Sequence, residues 1–101
     1  MVDSFIPVNI SERAMKEVKT IMENKNIPEG YGLRVGIKGA GCAGISYLVG
    51  FDKEKDTDVR YMKEGVTIMI EKKHVMYLIG IELDFYEGDD ARGFTFLSTK
   101  N

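Results

Sequence analysis

The spacing of apolar residues predicts one N-terminal helix followed by strands. Ser11 is a residue type that caps helices. After it, apolar residues recur at the spacing of one helix face: Ala14, Val18, Ile21 and Met22. The helix is expected to end near residues 24–26, because the following stretch NIPEGYG contains one proline and two glycines. Beyond this connector the apolar period changes from about 3.6 to about 2, which marks the start of strands.

Alternating apolar residues predict two strands on either side of a glycine-rich turn. They are Leu33, Val35 and Ile37 before the turn, and Ile45, Tyr47, Val49 and Phe51 after it. A second pair, DVRYM and VTIMIE, is joined at Lys63-Glu64-Gly65, and IELDFYE and GFTFL flank the turn EGDDARG. Between these pairs, KKHVMYLIG predicts two helical turns that end at Gly80. The sum is an α+β domain over residues 1–101, with one N-terminal helix, a short second helix and six or seven short strands in mostly antiparallel sheets.

Composition excludes several classes of partner. The 101 residues are 44% hydrophobic and 30% charged, which is typical of one globular domain. A net charge of −2 argues against nucleic acid. The start MVDSFIPVNISER lacks the features of a secretory signal, and no apolar run reaches the roughly 18 residues of a membrane span. A cytoplasmic protein without a membrane partner is therefore expected, and the single cysteine suits a reducing compartment.

The stretch KGAGCAGIS, residues 38–46, holds that cysteine within a G-x-G-x-x-G pattern. A dinucleotide site needs a helix after these glycines, whereas ISYLVGF is typical of a strand, so the pattern does not indicate a nucleotide site. So many glycines are more than a simple two-residue turn requires. We interpret the loop as presenting the Cys42 thiol beside backbone N–H groups that could stabilise a thiolate. The alternative is that Cys42 is a small buried apolar residue.

Other reactive residue types have ordinary explanations. A thiol enzyme would need a base near Cys42, and the only histidine, His74, is expected to face solvent on its short helix, so no enzyme is predicted. The carboxylates of residues 52–58 and 87–90 are expected in solvated loops, where they would bind divalent metals weakly at most. Core packing is the expected role of five aromatic residues: Tyr47, Phe51, Phe85, Phe94 and Phe96.

The order of three stretches resembles the A-type iron-sulfur carriers, which contain the HesB/IscA-like domain. The stretches are GLRVGIKGAGCAGISYLVGF, GVTIMIEKKHVMYLIGIELDF and GFTF, and the similarity runs from Ser11 to Phe96. The G-C-x-G-x-x-Y element is Gly41, Cys42, Gly44 and Tyr47, and the later L-D-F element is 83–85. This resemblance implies a compact HesB-like fold of mixed sheets. It also implies a homodimer or tetramer that carries iron, or a [2Fe-2S] or [4Fe-4S] cluster, between an assembly scaffold and recipient apo-proteins.

The resemblance further implies three cysteine ligands, one in the glycine loop and a C-x-C pair shortly after the G-F-x-F strand. Cys42 matches the first, but the printed sequence ends Leu97-Ser98-Thr99-Lys100-Asn101 without the pair. Iron-sulfur clusters are normally held by about four thiolate or comparable ligands.

Three accounts stay open. Cys42 thiolates of two chains hold iron or a cluster, with exogenous thiols such as glutathione or oxygen ligands completing the shell. Alternatively, the HesB fold persists as an interaction module that has lost cluster binding, or a tail beyond residue 101 carries the pair. We predict an iron-sulfur cluster assembly or transfer protein with Cys42 as its metal ligand.

Overall fold

The computed structural model describes residues 6–42 and 44–98. Within these residues the predicted α+β fold is confirmed, with two helices and seven strands. A 3₁₀ turn at Lys72–His74 leads directly into the second helix. The elements are β1 (Asn9–Ile10), α1 (Glu12–Asn24), β2 (Tyr31–Gly41), β3 (Gly44–Lys53), β4 (Asp58–Lys63), β5 (Val66–Glu71), α2 (Val75–Leu78), β6 (Ile81–Glu87) and β7 (Arg92–Ser98). Neither helix of this part of the chain is long and apolar enough to cross a membrane.

The strands form two mixed sheets that are mostly antiparallel, as predicted. One sheet has the order β1-β6-β7 and the other β3-β2-β5-β4. The pairs β2–β3, β4–β5 and β6–β7 are antiparallel hairpins, whereas β1 with β6 and β2 with β5 pair in parallel. The turn between β4 and β5 is Glu64-Gly65, and both residues have positive φ, which is the backbone that a tight two-residue hairpin requires.

Helix α1 begins and ends where its sequence predicts. The Ser11 hydroxyl accepts the Ala14 N–H at 3.1 Å, which satisfies one free donor of the first turn. At the other end the Lys25 N–H donates to the Ile21 carbonyl at 2.8 Å. The apolar face buries Ala14, Met15 and Val18 against β6.

One apolar core joins the helix and both sheets. Its fully covered side chains include members of every layer: Val18, Leu33, Val35, Ile68, Ile70, Leu78 and Leu83. The predicted packing role of the aromatic residues is confirmed, since Phe85 is buried and the other four pack against the core. The rings of Tyr47 on β3 and Phe96 on β7 stack with centroids 4.8 Å apart, and this contact connects the two sheets.

Arg34 is buried on the face of β2 opposite to that of Leu33 and Val35, which belong to the apolar core. Its side chain is 8% exposed and donates two parallel hydrogen bonds to the Asp58 carboxylate, at 2.7 and 2.8 Å. It also donates to the Lys53 carbonyl at 2.8 Å and to Asp52 at 3.1 Å. These bonds compensate for the removal of the guanidinium from water.

The expectation that the 52–58 carboxylates are all solvated is therefore wrong for Asp58, whose side chain is 0% exposed. Hydrogen bonds from the Arg34 guanidinium lower the pKa of Asp58 below its ordinary value, although burial opposes the shift. The ion pair attaches the start of β4, and with it the connector from β3, to the central strand β2.

Removing the charge of Asp58 should therefore be costly. Asp58→Asn leaves the buried Arg34 without its main counter-charge, and we expect a loss of about 3 kcal/mol in the free energy of unfolding. Urea denaturation followed by circular dichroism measures it. Asp56→Asn, at an exposed position of the same connector, is the matched control. Equal urea midpoints for the two variants would contradict this account of the connector.

Asp84 joins the start of α1 to β6. Its carboxylate accepts hydrogen bonds from the Ser11 hydroxyl at 2.6 Å, the Arg13 guanidinium at 2.6 Å and the Phe85 N–H at 2.8 Å. These donors, with Arg13 the strongest, lower the pKa of Asp84 from 3.8 to about 2.

This shift predicts a pH dependence of stability. Because the folded state holds the pKa of Asp84 below its ordinary value of 3.8, the stabilisation is present above that pH and disappears as pH falls toward about 2. Asp84→Asn should be less stable than the parent at pH 6, and the difference should shrink between pH 4 and 2. Urea midpoints across this range test it, with the exposed Asp89→Asn as control. A difference that stays constant with pH would refute the assignment to Asp84.

Candidate functional site

Strands β2 and β3 form a long hairpin whose far end extends beyond the rest of its sheet. Their paired residues run from Tyr31 with Lys53 to Gly41 with Gly44. Strand β5 pairs with β2 only at Leu33 and Arg34. The described residues of 38–46, which we call the hairpin arm, are all exposed. The arm therefore presents its side chains and backbone to whatever approaches the protein.

The arm ends in a tight turn, so the prediction that the glycine run is more than a two-residue turn is wrong. Pairing continues up to Gly41 and Gly44, which leaves Cys42 and residue 43 as the connection. Residue 43 lies outside the described residues. Gly44 has φ +116°, a backbone that favours glycine, whereas a Cβ at Gly39 or Gly41 would meet nothing within 4 Å. The strand predicted after the run, in place of a helix, is confirmed.

A β-bulge sets where Cys42 lies in that turn. Ile37 pairs with Tyr47 but Gly39 pairs with Ser46, so Lys38 is the extra residue on β2. With continuous pairing from Ile37 onward, Ala40 would face Gly44 and Cys42 would be the middle residue of a three-residue loop. The bulge shifts the register by one residue and makes Cys42 the first residue of a two-residue turn.

Cys42 is exposed at the tip of the arm, which excludes the alternative that it is a small buried apolar residue. An exposed thiol can act as a metal ligand or a nucleophile, because ligands and reagents reach it. Within residues 6–42 and 44–98 there is no group of three or more His, Cys, Asp or Glu side chains that could hold a metal ion. One copy of this part of the chain thus contributes a single thiol donor at the tip.

His74 lies at the base of the arm and is not the solvent-facing residue that the sequence predicts. Its side chain is 14% exposed, and its Nδ1 accepts the Ile37 N–H at 3.4 Å. The ring occupies the space over Gly36, where an added Cβ would lie 2.8 Å from Nδ1. Gly36 is the sequence signal that could have indicated this contact, since a glycine inside a strand often marks a close approach by another group.

The base and the tip of the arm are well separated. Cys42 lies five residues further along the chain than Ile37, and at about 3.3 Å per residue this extended separation is roughly 16 Å. His74 is therefore not placed to act as a base for Cys42 of the same chain, because such a pair must come within about 3 Å. The structure brings His74 to the hairpin but not to its thiol.

The end of β7 runs beside the base of the arm. Phe96 stacks on Tyr47, and Tyr47 pairs with Ile37 across the hairpin. The family resemblance implies a C-x-C pair shortly after this strand. Residues 99–101 of this chain lie outside the described residues. The three-dimensional arrangement thus brings the end of β7 next to the hairpin that carries Cys42.

A concave region lies between α1 and the β6–β7 hairpin. It encloses about 350 Å³ and is lined by Arg13, Lys16, Glu17, Thr20, Phe85, Glu87 and Arg92. Its charges are mostly satisfied, since Arg13 binds Asp84 and Arg92 lies 3.5 Å from Glu17 and 3.4 Å from Glu87. Its lining includes neither Cys42 nor His74, so the cleft is separate from the hairpin arm.

Comparison with known proteins assigns the family. The sequence model of the family described as iron-sulphur cluster biosynthesis matches residues 6–100. The chain is 36% identical over 90 residues to the iron-binding protein IscA of Yersinia enterocolitica, which covers 88% of this chain and 82% of that protein.

Two solved structures share the fold. The crystal structure of Escherichia coli SufA, described as involved in biosynthesis of iron-sulfur clusters, matches with a TM-score of 0.76 and 20% identity, over 100% of this chain and 88% of that one. The crystal structure of IscA with the [2Fe-2S] cluster matches with a TM-score of 0.67 and 23% identity, over 90% and 81%. With the match over residues 6–100, these findings confirm the resemblance: the chain belongs to the iron-sulphur cluster biosynthesis family.

Proposed function

We propose that this protein takes part in iron-sulfur cluster assembly by carrying iron or a cluster as cargo bound through Cys42. The single observation that carries the proposal is the exposed thiol at the tip of the hairpin arm. Membership of the cluster biosynthesis family supports it, as does the similarity to an iron-binding IscA. A thiolate at the end of a projecting arm can reach a donor or a recipient without rearrangement of the core.

We propose that the cargo is shared between two chains. A cluster normally takes about four thiolate or comparable ligands, whereas the printed sequence contains one cysteine. Two copies supply two Cys42 thiolates, and exogenous thiols such as glutathione supply the rest. We therefore propose a homodimer, alone or within a tetramer, that holds iron or a [2Fe-2S] or [4Fe-4S] cluster between two arms.

An incomplete protein shell suits transfer. Exogenous ligands exchange more readily than ligands fixed by a fold, so the cargo can be passed on by successive replacement of thiolates. The proposed partners are an assembly scaffold that donates the cargo and apo-proteins that receive it, in the cytoplasm. The chain is proposed to be a carrier and not an enzyme.

The alternative is an interaction module of the same fold that binds no metal. One observation favours it: α2 and the residue after it expose the apolar side chains of Met76, Tyr77 and Ile79, of which Met76 is 80% exposed. Apolar side chains grouped in this way are typical of protein contact surfaces.

Anaerobic reconstitution with ferrous iron and sulfide, with and without glutathione, tests the carrier proposal. We expect the parent to bind iron and sulfide in matched amounts, with more bound when glutathione is present, and to show charge-transfer absorption. Cys42→Ser should lower the bound iron by at least about tenfold, because it removes the thiolate that each chain supplies.

Ser46→Ala is the matched control, since it alters an exposed side chain of the same arm and removes no thiol. Its iron content should equal that of the parent. Equal iron and sulfide in the parent and in Cys42→Ser would refute Cys42 as the ligand. If neither protein binds iron under any condition, the interaction module becomes the better account.

A further inference from the structure

His74 contacts β2 at the residue where the hairpin arm begins. Its Nδ1 accepts the N–H of Ile37, the last residue before the bulge at Lys38. The ring also lies over Gly36, so it touches the strand at two consecutive residues. The contact exists because β5 ends at Glu71 and the following 3₁₀ turn folds over β2.

This contact replaces a missing strand partner. β5 pairs with β2 at Leu33 and Arg34 but ends before it reaches Ile37. A partly buried N–H without an acceptor costs free energy, and the imidazole supplies that acceptor. Nδ1 is the acceptor in this geometry, so a neutral ring with this hydrogen bond carries its hydrogen on Nε2.

The bulge at Lys38, next to the contact with His74, sets the register of the hairpin arm. Without the bulge, Cys42 would move from the first residue of a two-residue turn to the middle of a three-residue loop, as the pairing of Ile37 with Tyr47 dictates. A glycine-rich arm has few side chains that resist such a slip, and its described residues are all exposed. A contact at the base of such an arm would favour one register.

We propose that His74 is a positioning residue for Cys42, which holds the bulge at Lys38 by accepting the Ile37 N–H and by packing on Gly36. His74 acts through the backbone of β2 and does not touch the cargo. The effect of this contact on iron binding rests on the proposed function. The contact itself can be measured in the metal-free protein.

Two substitutions of similar size separate the hydrogen bond from the packing. His74→Leu keeps most of the volume but removes the acceptor, and His74→Asn places a carbonyl oxygen near the position of Nδ1. Lys73→Gln, at the exposed residue next to His74 on the same 3₁₀ turn, is the matched control. The readouts are amide hydrogen exchange and cross-strand nuclear Overhauser effects in the metal-free protein, and iron bound after reconstitution.

In His74→Leu, we expect the Ile37 amide to exchange about fivefold to tenfold faster than in the parent, as for the loss of one hydrogen bond. The cross-strand signals between Gly39 and Ser46 should weaken, while the amide of the buried Leu33 should exchange as before. Iron uptake should fall together with these signals. His74→Asn should restore the slow Ile37 exchange, the cross-strand signals and the iron uptake, and Lys73→Gln should change none of them.

The parent provides a further measurement that needs no variant. The nitrogen chemical shifts of the neutral His74 ring should show an unprotonated Nδ1 and a protonated Nε2. If His74→Leu does not fold, Gly36→Ala serves in its place. The added Cβ would lie 2.8 Å from Nδ1 and would push the imidazole ring away from β2. The same faster exchange at Ile37 is then expected.

Three results would overturn the proposal. They are a neutral ring protonated on Nδ1, an Ile37 amide that exchanges equally in the parent and in His74→Leu, and normal iron uptake in a variant whose register signals are lost. A failure of the proposed function would give a different result: Cys42→Ser would then keep its iron, whether or not His74 is substituted.

Discussion

The buried ion pair between Arg34 and Asp58 is the interaction on which the arrangement of the larger sheet depends. Strand β2 is its centre, with β3 on one side and β5 on the other. One face of β2 carries the apolar core, and the opposite face places a guanidinium almost out of water. Asp58 pairs with that charge through two hydrogen bonds and thereby attaches the start of β4, and with it the connector from β3, to the central strand. The base of the hairpin is fixed from both faces as a result.

Unlike this base, the hairpin arm is exposed and lies outside the apolar core. Its glycines supply no side chains for packing, and β5 does not accompany it beyond Arg34. The contacts that orient it lie at its base: the stack of Tyr47 on Phe96 and the hydrogen bond from Ile37 to His74. A base packed against the core and an exposed tip suit a thiol that is proposed to bind a cargo and then release it. The proposed carrier function and the proposed role of His74 are thus two consequences of one arrangement.

Much of this fold could be predicted from the sequence, because the local signals agree with the tertiary structure. Ser11 and the apolar period predicted α1, alternation predicted the strands, and the order of motifs predicted the family. The sequence did not reveal that Asp58 is buried, since a carboxylate in a charged run has the same local signal whether or not an arginine reaches it. His74 was misplaced for a similar reason. Its contact with Gly36 joins residues 38 positions apart and depends on where β5 ends. The size of the turn was missed because a bulge, which has no clear sequence signal, sets the register.

The central proposal is that each chain supplies the Cys42 thiolate and that two chains share the cargo. Native mass spectrometry of the anaerobically reconstituted protein, with glutathione present, tests this most directly. The account predicts a species with two chains and one cluster, which carries glutathione and is lost in Cys42→Ser. A species with one chain and a complete cluster would contradict it, because the described part of one chain holds no group of ligands sufficient for a metal ion.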